Sequence, residues 1–152
     1  MINIVHRVGI KAPPHKVYEA LSTIEGVSGW WTKNTSGDYQ VGKIITARFF
    51  SSDENEIGKM DIEVKAMEKD KLVRWSFIDG PKEWIGTDVI FELKQDADFT
   101  IVLFTHSNWR EQIEFTAHCS MKWGTFMLSL REFVETGKGK PSPYDIKIDN
   151  WN

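Results

Sequence analysis

The sequence predicts an α+β fold in which a curved antiparallel sheet of about six strands wraps around a long C-terminal helix, with two short helices after the first strand. Two patterns along the chain predict this arrangement. Five strand-like runs follow one another with only turn signals between them, which is typical of antiparallel pairing. The apolar period then changes from 2 to 3.6 residues, and the resulting helical stripe is the only matching cover for the apolar face of the sheet.

The elements are expected in the following order. Residues 2–11 alternate as a strand, and Pro13 and Pro14 end it and begin the first of two short helices, at about 14–23 and 24–31. A polar stretch rich in Asn, Ser, Gly and Asp predicts a loop from Thr32 to Gly42. The five strands are then expected at about 43–51, 56–67, 71–78, 86–95 and 99–107.

The last helix is predicted from a stripe of apolar residues at helical spacing. It is expected to be about 20 residues long and to end at Thr136-Gly137, because glycine suits the position after a helix. The residues of the stripe are Phe115, Cys119, Trp123, Phe126, Met127, Leu130, Phe133 and Val134. Beyond a Pro- and Gly-containing loop, the apolar residues Tyr144, Ile146, Ile148 and Trp151 predict that the last segment docks on the rest of the chain.

Composition and charge exclude several classes of function. A chain of 152 residues predicts a single domain over 1–152, and a net charge of −3 without a basic stripe argues against nucleic-acid binding. No apolar run approaches the roughly 18 residues of a membrane span. The single cysteine, Cys119, and the absence of a signal-peptide pattern at the N-terminus favour a cytoplasmic protein. The four histidines lack paired ligand spacing and no nucleotide-binding motif is present, so neither a metal nor a cofactor is expected.

The aromatic content is the unusual feature, with 7 Trp, 3 Tyr and 9 Phe among 152 residues. Two interpretations remain open: the rings pack against each other in a core, or some of them line a cavity in which indole N–H groups hold a polar ligand atom. The candidate ligand-binding residues lie on predicted inward faces or near element ends. They are Trp30, Trp31, Trp75, Phe77, Trp84, Phe91, Phe104, His106, Trp109, Trp123 and Met127.

His106 is the titratable residue of most interest. It shares a strand face with Thr100, Val102 and Phe104, and an imidazole at a cavity mouth is able to bind a carboxylate or phenol, or to act as an acid or base. The alternative is a structural histidine with both nitrogens hydrogen-bonded. Polar groups that would have to join His106 in an enzyme are Thr87, Asp88 and Tyr18.

Two further features bear on function, the adjacent His118 and Cys119 and the strand at 99–107. Cys119 follows His118, but adjacent helical positions point about 100° apart, so the pair does not form a nucleophile and base, and no catalytic residue is assigned. The strand at 99–107 is apolar on both faces. Its second face, with Phe99, Ile101 and Leu103, is a candidate homodimer interface.

The chain resembles the START-like (SRPBCC, helix-grip) superfamily and, within it, the branch of activator of heat-shock-protein-90 ATPase homologues. The element order carries this resemblance together with local sequences. These are Ala12-Pro13-Pro14 with Val17-Tyr18-Glu19-Ala20-Leu21, Gly29-Trp30-Trp31, Trp84-Ile85-Gly86-Thr87 leading to Phe91-Glu92-Leu93, Thr100 to His106, and Trp109. The resemblance covers nearly the whole chain and implies a helix-grip domain with a cavity for apolar molecules.

The expected function is therefore binding of an apolar, lipid-like or aromatic small molecule between the sheet and the C-terminal helix. Members of the superfamily include lipid carriers, polyketide cyclases and aromatases, hormone receptors and chaperone activators, so the resemblance leaves two alternatives. One is an enzyme resembling a polyketide cyclase or aromatase. The other is an interaction module that activates a chaperone ATPase.

Overall fold

The computed structural model describes all 152 residues and contains three helices and one antiparallel sheet of seven strands. The α+β class, the two short helices and the long C-terminal helix are confirmed, and the sheet has one strand more than expected. In chain order the elements are β1 (Ile2–Ile10), α1 (Pro14–Ser22), α2 (Ile24–Trp30), β2 (Asn34–Gly37), β3 (Ile44–Phe50), β4 (Glu56–Glu68), β5 (Leu72–Asp79), β6 (Asp88–Asp96), β7 (Phe99–Trp109) and α3 (Glu114–Thr136).

The strands lie in the order β1-β7-β6-β5-β4-β3-β2, so the first and last strands of the chain are neighbours. From β3 to β7 each strand pairs with the next through a short connection, which is the antiparallel meander that the turn signals predict. The register of β4 shifts at two places along its pairing with β5. Such irregularities bend a strand and increase its twist, which helps the sheet to curve around α3.

The additional strand, β2, lies inside the stretch that the sequence predicts as a loop. Its residues Asn34 to Gly37 are polar and poor strand formers, so their composition indicates a turn. They are nevertheless held by pairing with β3, from Asn34 opposite Arg48 to Gly37 opposite Ile45. Gly37 has a φ of 117°, and a Cβ there would lie 2.5 Å from the Ile44 carbonyl oxygen, so only glycine fits.

The two short helices meet at Thr23, which ends α1 and caps α2. Its hydroxyl accepts the Gly26 N–H at 2.9 Å and donates to the Glu19 carbonyl at 2.9 Å. The apolar face of α1 buries Val17, Ala20 and Leu21. The pair of helices closes one end of the sheet and brings the two adjacent tryptophans at the end of α2 into the core.

Helix α3 lies in the concave side of the sheet and buries one stripe of residues. It begins after Ile113, whose N–H donates to the Thr116 hydroxyl at 3.1 Å. It ends at Gly137, which has a φ of 87° and donates its N–H to the Phe133 carbonyl at 2.8 Å. Five residues of the predicted stripe, from Cys119 to Leu130, belong to a core cluster of 30 buried residues, and the other three are partly buried against it. None of the three helices has the length and apolar character needed to span a bilayer.

The segment after α3 docks on the rest of the chain as expected, but through different residues. Tyr144 and Ile146 are 66% and 50% exposed, so their apolar side chains do not anchor it. Trp151 is 48% exposed, but its ring packs on His118 of α3 at a centroid distance of 5.3 Å. The buried anchor is Asp145, whose carboxylate forms an ion pair with Lys122 of α3. A second carboxylate, Asp149, lies 2.7 Å from the Nδ1 of His118. The segment is therefore attached to the first half of α3 by charge and by one aromatic contact, and backbone hydrogen bonds of the buried Ser142 attach it to Trp31 and Lys33.

Candidate functional site

Four indole rings form a column through the core, and each comes from a different part of the chain. Trp75 of β5 stacks on Trp31 at a centroid distance of 5.3 Å, and Trp31 stacks on Trp123 of α3 at 5.5 Å. Trp123 stacks on Trp84, in the connection between β5 and β6, at 5.9 Å. The interplanar angles are 27°, 23° and 18°, so the four rings are nearly parallel. Much of the aromatic surplus is thus used in packing.

Hydrogen bonds fix the orientation of several of these rings. The Trp30 N–H donates to the Ala20 carbonyl at 2.9 Å, and the Trp75 N–H donates to the Tyr39 hydroxyl at 2.6 Å. Tyr39 in turn donates to the Leu21 carbonyl at 2.5 Å, and burial raises the pKa of its hydroxyl. These donors are committed to the protein and are not available to a ligand.

His106 lies in the core, fully buried, with both ring nitrogens in hydrogen bonds. The Trp123 N–H donates to Nδ1 at 3.1 Å, so Nε2 carries the proton and donates to the Thr87 hydroxyl at 2.7 Å. The Thr87 hydroxyl in turn donates a hydrogen bond to the Trp84 carbonyl at 2.6 Å. Burial lowers the pKa of His106 to about 3, against a weaker opposing effect of Asp88, and the imidazole is therefore neutral.

A cavity of about 180 Å³ lies beside this column and is bordered by three of its four rings, Trp31, Trp123 and Trp84. The first half of α3, the β3–β4 hairpin, the connection from Pro81 to Trp84 and the end of the chain surround it. Its buried walls are Trp31, Phe49, Met60, Trp84, Trp123 and Phe126. Its rim includes the half-exposed side chains of Ile57 and Trp151. Larger depressions exist elsewhere, for example one of about 420 Å³ beside Arg110, but that one is bordered mainly by charged side chains on the surface.

The structure places three of the eleven candidate residues at this cavity, namely Trp31, Trp84 and Trp123. The other eight are buried in the core and do not border it: Trp30, Trp75, Phe77, Phe91, Phe104, His106, Trp109 and Met127. In particular, His106 is enclosed by rings rather than placed at the cavity mouth. Ligand contact by any of the eleven residues stays a prediction.

Sequence reasoning did not select five of the eight buried residues that border the cavity: Phe49, Met60, Cys119, Lys122 and Phe126. Two signals pointed toward some of them. Cys119 and Phe126 lie on the same helical stripe as Trp123, and Met60 shares a strand face with Ile62 and Val64. Lys122 had no such signal, because its position on the helix indicates a solvent-exposed charge rather than a buried ion pair.

The polar groups around the cavity differ in how they are bonded. Lys122 forms the ion pair with Asp145 and also donates to the Ile146 carbonyl at 2.8 Å. Burial raises the pKa of the Cys119 thiol to about 12, although the adjacent Trp84 N–H lowers it, so the thiol stays protonated and is a poor nucleophile. The Trp84 N–H itself is buried, and the only acceptor beside it is the sulfur of Cys119, which is a weak one.

The other groups considered for catalysis do not converge on the cavity. The Asp88 carboxylate binds Arg74 and accepts the Ser76 hydroxyl at 2.5 Å. Thr87 belongs to the His106 chain of hydrogen bonds. Tyr18 does not border the cavity, and burial raises the pKa of its hydroxyl. The arrangement therefore offers a largely apolar binding volume rather than a pair of acid and base groups. Two residues at this volume carry a buried polar atom without a hydrogen bond: Trp84 a donor, its indole N–H, and Asn152 an acceptor, its Oδ1.

Comparison with known proteins agrees with the element order. The family described as "Activator of Hsp90 ATPase homolog 1-like protein" matches residues 11–135. The solution structure of the Aha1 dimer from Colwellia psychrerythraea is similar, with a TM-score of 0.79, 43% sequence identity, and coverage of 91% of this chain and 100% of that chain. No functionally curated protein matches the chain.

Two crystal structures of lower identity share the fold. One is the protein SSP2350 from Staphylococcus saprophyticus, with a TM-score of 0.74, 18% identity, and coverage of 93% of this chain and 98% of that chain. The other is CalU16 from Micromonospora echinospora, with a TM-score of 0.70, 18% identity, and coverage of 93% of this chain and 77% of that chain. At this level of identity the likeness concerns the fold alone.

Proposed function

The chain belongs to the Activator of Hsp90 ATPase homolog 1-like family, and we propose that it binds one small apolar or aromatic molecule in the cavity beside α3. The observation that carries this proposal is the cavity of about 180 Å³ with three indole rings in its walls. An apolar cavity of about 150 Å³ in another protein stays dry and binds benzene. A volume of this size suits a ligand of one ring, whereas a long lipid chain would need the rim to open.

The chemistry of the walls supports a ring-shaped ligand. Faces and edges of Trp31, Trp84, Trp123, Phe49 and Phe126 border the volume, and aromatic pairs gain about 0.5–1.5 kcal/mol beyond the burial of area. Water in such a volume would find few hydrogen-bond partners, so its displacement by an apolar ring is favourable. A single ring offers little area, and dissociation constants on the order of 100 µM are expected.

The experiment that tests this proposal fills the cavity with a side chain. A Cβ added at Gly58 meets only the Cβ of Phe49, at 3.9 Å, which is ordinary van der Waals contact, and Gly58 borders the cavity, so we expect the side chain of Gly58→Val to occupy part of the volume. We expect toluene to bind the wild-type chain, to raise its Tm and to change its tryptophan fluorescence. We expect Gly58→Val to weaken this binding at least tenfold.

The matched control for Gly58→Val is Lys59→Val, which adds the same side chain at the next position of β4, where the residue is exposed and does not border the cavity. It is expected to bind toluene like the wild-type chain. If toluene binds all three proteins equally, or binds none of them, the cavity is not the binding site.

The family description favours a second candidate function, activation of a chaperone ATPase. The two functions are separated by measuring the ATPase rate of the 90-kDa heat-shock chaperone with and without this chain. A stimulated rate that is unchanged in Gly58→Val would support the chaperone role independently of the cavity. An unchanged basal rate would leave ligand binding as the supported function.

We propose in addition that two copies of the chain associate. The similar protein from Colwellia psychrerythraea is described as a dimer. The outer face of β7 and its neighbour β1 supports this proposal, because Leu103 and Phe99 are partly exposed there and Val5 is 62% exposed. Ile101, on the same face, is only 4% exposed and contributes less.

A further inference from the structure

The indole N–H of Trp84 is a buried donor without an acceptor, at the wall of the proposed binding cavity. It lies beside the thiol of Cys119, which also borders the cavity. A thiol sulfur is a weak acceptor, so the N–H remains available to a stronger one. A buried donor left without a hydrogen bond costs about 1–3 kcal/mol, and a ligand that supplies an acceptor recovers that cost.

Three other indole N–H groups of the core have the acceptor that the Trp84 N–H lacks. The N–H groups of Trp30, Trp75 and Trp123 all donate to protein acceptors. The Trp109 N–H is also buried without an acceptor, but Trp109 does not border the cavity. Among the fully buried indole N–H groups that lack an acceptor, Trp84 has the one whose ring borders the cavity.

The charges around the cavity argue against an ionised ligand. Lys122 and His118, the two basic side chains that border the cavity, already hold the carboxylates of Asp145 and Asp149. An anion would enter without a free cation to pair with. No aspartate or glutamate side chain borders the cavity to pair with a cation, so burial of either kind of charge is unfavourable.

We propose that the ligand is a neutral, single-ring aromatic compound with one hydrogen-bond acceptor, such as an aryl carbonyl, and that this acceptor binds the Trp84 N–H. This inference rests on the proposed function, because it requires the same cavity. The ring lies against Trp31, Trp123 and Phe126, and the acceptor oxygen reaches the boundary between Trp84 and Cys119.

The test compares three probes of similar size: acetophenone, α-methylstyrene and benzoate. Acetophenone and α-methylstyrene have nearly the same shape, but the carbonyl oxygen of the first is a CH₂ group in the second. We expect acetophenone to bind the wild-type chain about tenfold more tightly than α-methylstyrene, since about 1.4 kcal/mol corresponds to a factor of ten. Benzoate is expected to bind more weakly than acetophenone.

The variant Trp84→Phe keeps an aromatic ring and removes the donor. We expect it to bind α-methylstyrene and to lose the preference for acetophenone. Nuclear magnetic resonance of the indole N–H groups gives an independent readout on the wild-type chain. The Trp84 N–H signal is expected to move downfield with acetophenone and not with α-methylstyrene, while the Trp109 N–H signal serves as an internal control.

Any other outcome contradicts the inference, and the outcomes also distinguish a failure of the inference from a failure of the proposed function. If acetophenone and α-methylstyrene bind equally, or if benzoate binds most tightly, the cavity binds ligands but the Trp84 donor does not select them. If no probe binds the wild-type chain, the proposed function and the inference both fail. If Trp84→Phe does not fold, an unmoved Trp84 signal in the wild-type chain still contradicts the inference.

Discussion

At the scale of single residues, His106 is a neutral imidazole that shares its two nitrogens between Trp123 and Thr87. These bonds connect β7, α3 and the connection before β6 through one side chain. Because burial lowers the pKa of His106 to about 3, the folded and the unfolded chain bind different numbers of protons at this residue between about pH 3 and pH 6.5. The unfolded imidazole titrates at about 6.5.

This difference predicts a pH-dependent stability. Below about pH 6.5 the unfolded chain binds a proton at His106 and the folded chain does not, so stability falls as the pH decreases toward the folded pKa of about 3. We expect the free energy of unfolding in urea to decrease by about 1.4 kcal/mol per pH unit from this residue within that window. The measurement is urea unfolding at pH 7 and at pH 5.

The variants His106→Gln and His15→Gln isolate that contribution. His106→Gln is expected to be less stable at pH 7 and to lose less stability between pH 7 and pH 5 than the wild-type chain. The exposed His15 gives the matched control, which should keep the wild-type pH dependence. An unchanged pH dependence in His106→Gln would contradict the assignment of a neutral, buried imidazole.

At the scale of elements, the terminal segment 144–152 is attached to α3 chiefly by buried charge. The Asp145 side chain is 2% exposed and the Lys122 side chain 10%. Lys147 also approaches Asp145, at 3.0 Å, but it is 46% exposed and contributes little. Removal of one partner of such a buried pair leaves the other charge without compensation.

We therefore expect Asp145→Ala to destabilise the chain by about 3 kcal/mol in urea unfolding, because Lys122 stays buried with only the Ile146 carbonyl as a partner. The double variant Lys122→Met with Asp145→Leu should lose less, since it removes both charges. Glu132→Ala, which breaks an exposed pair with Lys140 at 3.8 Å, is the control and should change stability by less than about 1 kcal/mol. A loss for Asp145→Ala as small as that of the control would refute the role of the buried pair.

Most of the helices and strands are predictable from the sequence, and the physical reason for this also explains why strand β2 is not. Burial on one face produces the alternation of Val73, Trp75 and Phe77 in β5 and the helical stripe of α3. The spacing of apolar residues in the sequence therefore predicts both elements. Strand β2 leaves no such record, because it is short and polar and is held by its neighbour β3.

The cavity was much less predictable than the elements. Spacing places Trp75 and Trp123 on inward faces, but it does not tell whether the rings meet each other or leave a volume between them. The structure uses both rings in the stacked column, and the volume lies beside the column, between residues as distant in sequence as Gly58, Trp84 and Cys119. Such a site depends on packing between elements, which no local pattern contains.

At the scale of the whole molecule, the proposed association of two copies predicts a concentration-dependent size. We expect the wild-type chain to sediment as a dimer in analytical ultracentrifugation at about 100 µM, a concentration well above a micromolar dissociation constant. The double variant Val5→Asp with Leu103→Asp places charges on the outer face of β1 and β7 and should sediment as a monomer.

The control for the dimer is Val41→Asp, which adds the same charge at a residue that is 55% exposed and lies in the turn before β3. It is expected to remain a dimer. A wild-type chain that sediments as a monomer at this concentration would contradict the proposed association. A dimeric double variant would show that the interface lies elsewhere.

The pairing of β1 with β7 also has a consequence for how the protein is made. Ile4 pairs with His106, so the first strand leaves the ribosome long before its partner is synthesised. At about 5–20 residues per second, β1 waits roughly 5–20 s with an unpaired apolar face. Contacts so distant in sequence also make folding slow. We therefore expect nascent chains truncated before β7 to expose β1 as an unpaired, aggregation-prone strand. Chaperones that bind nascent chains are expected to matter most during this interval.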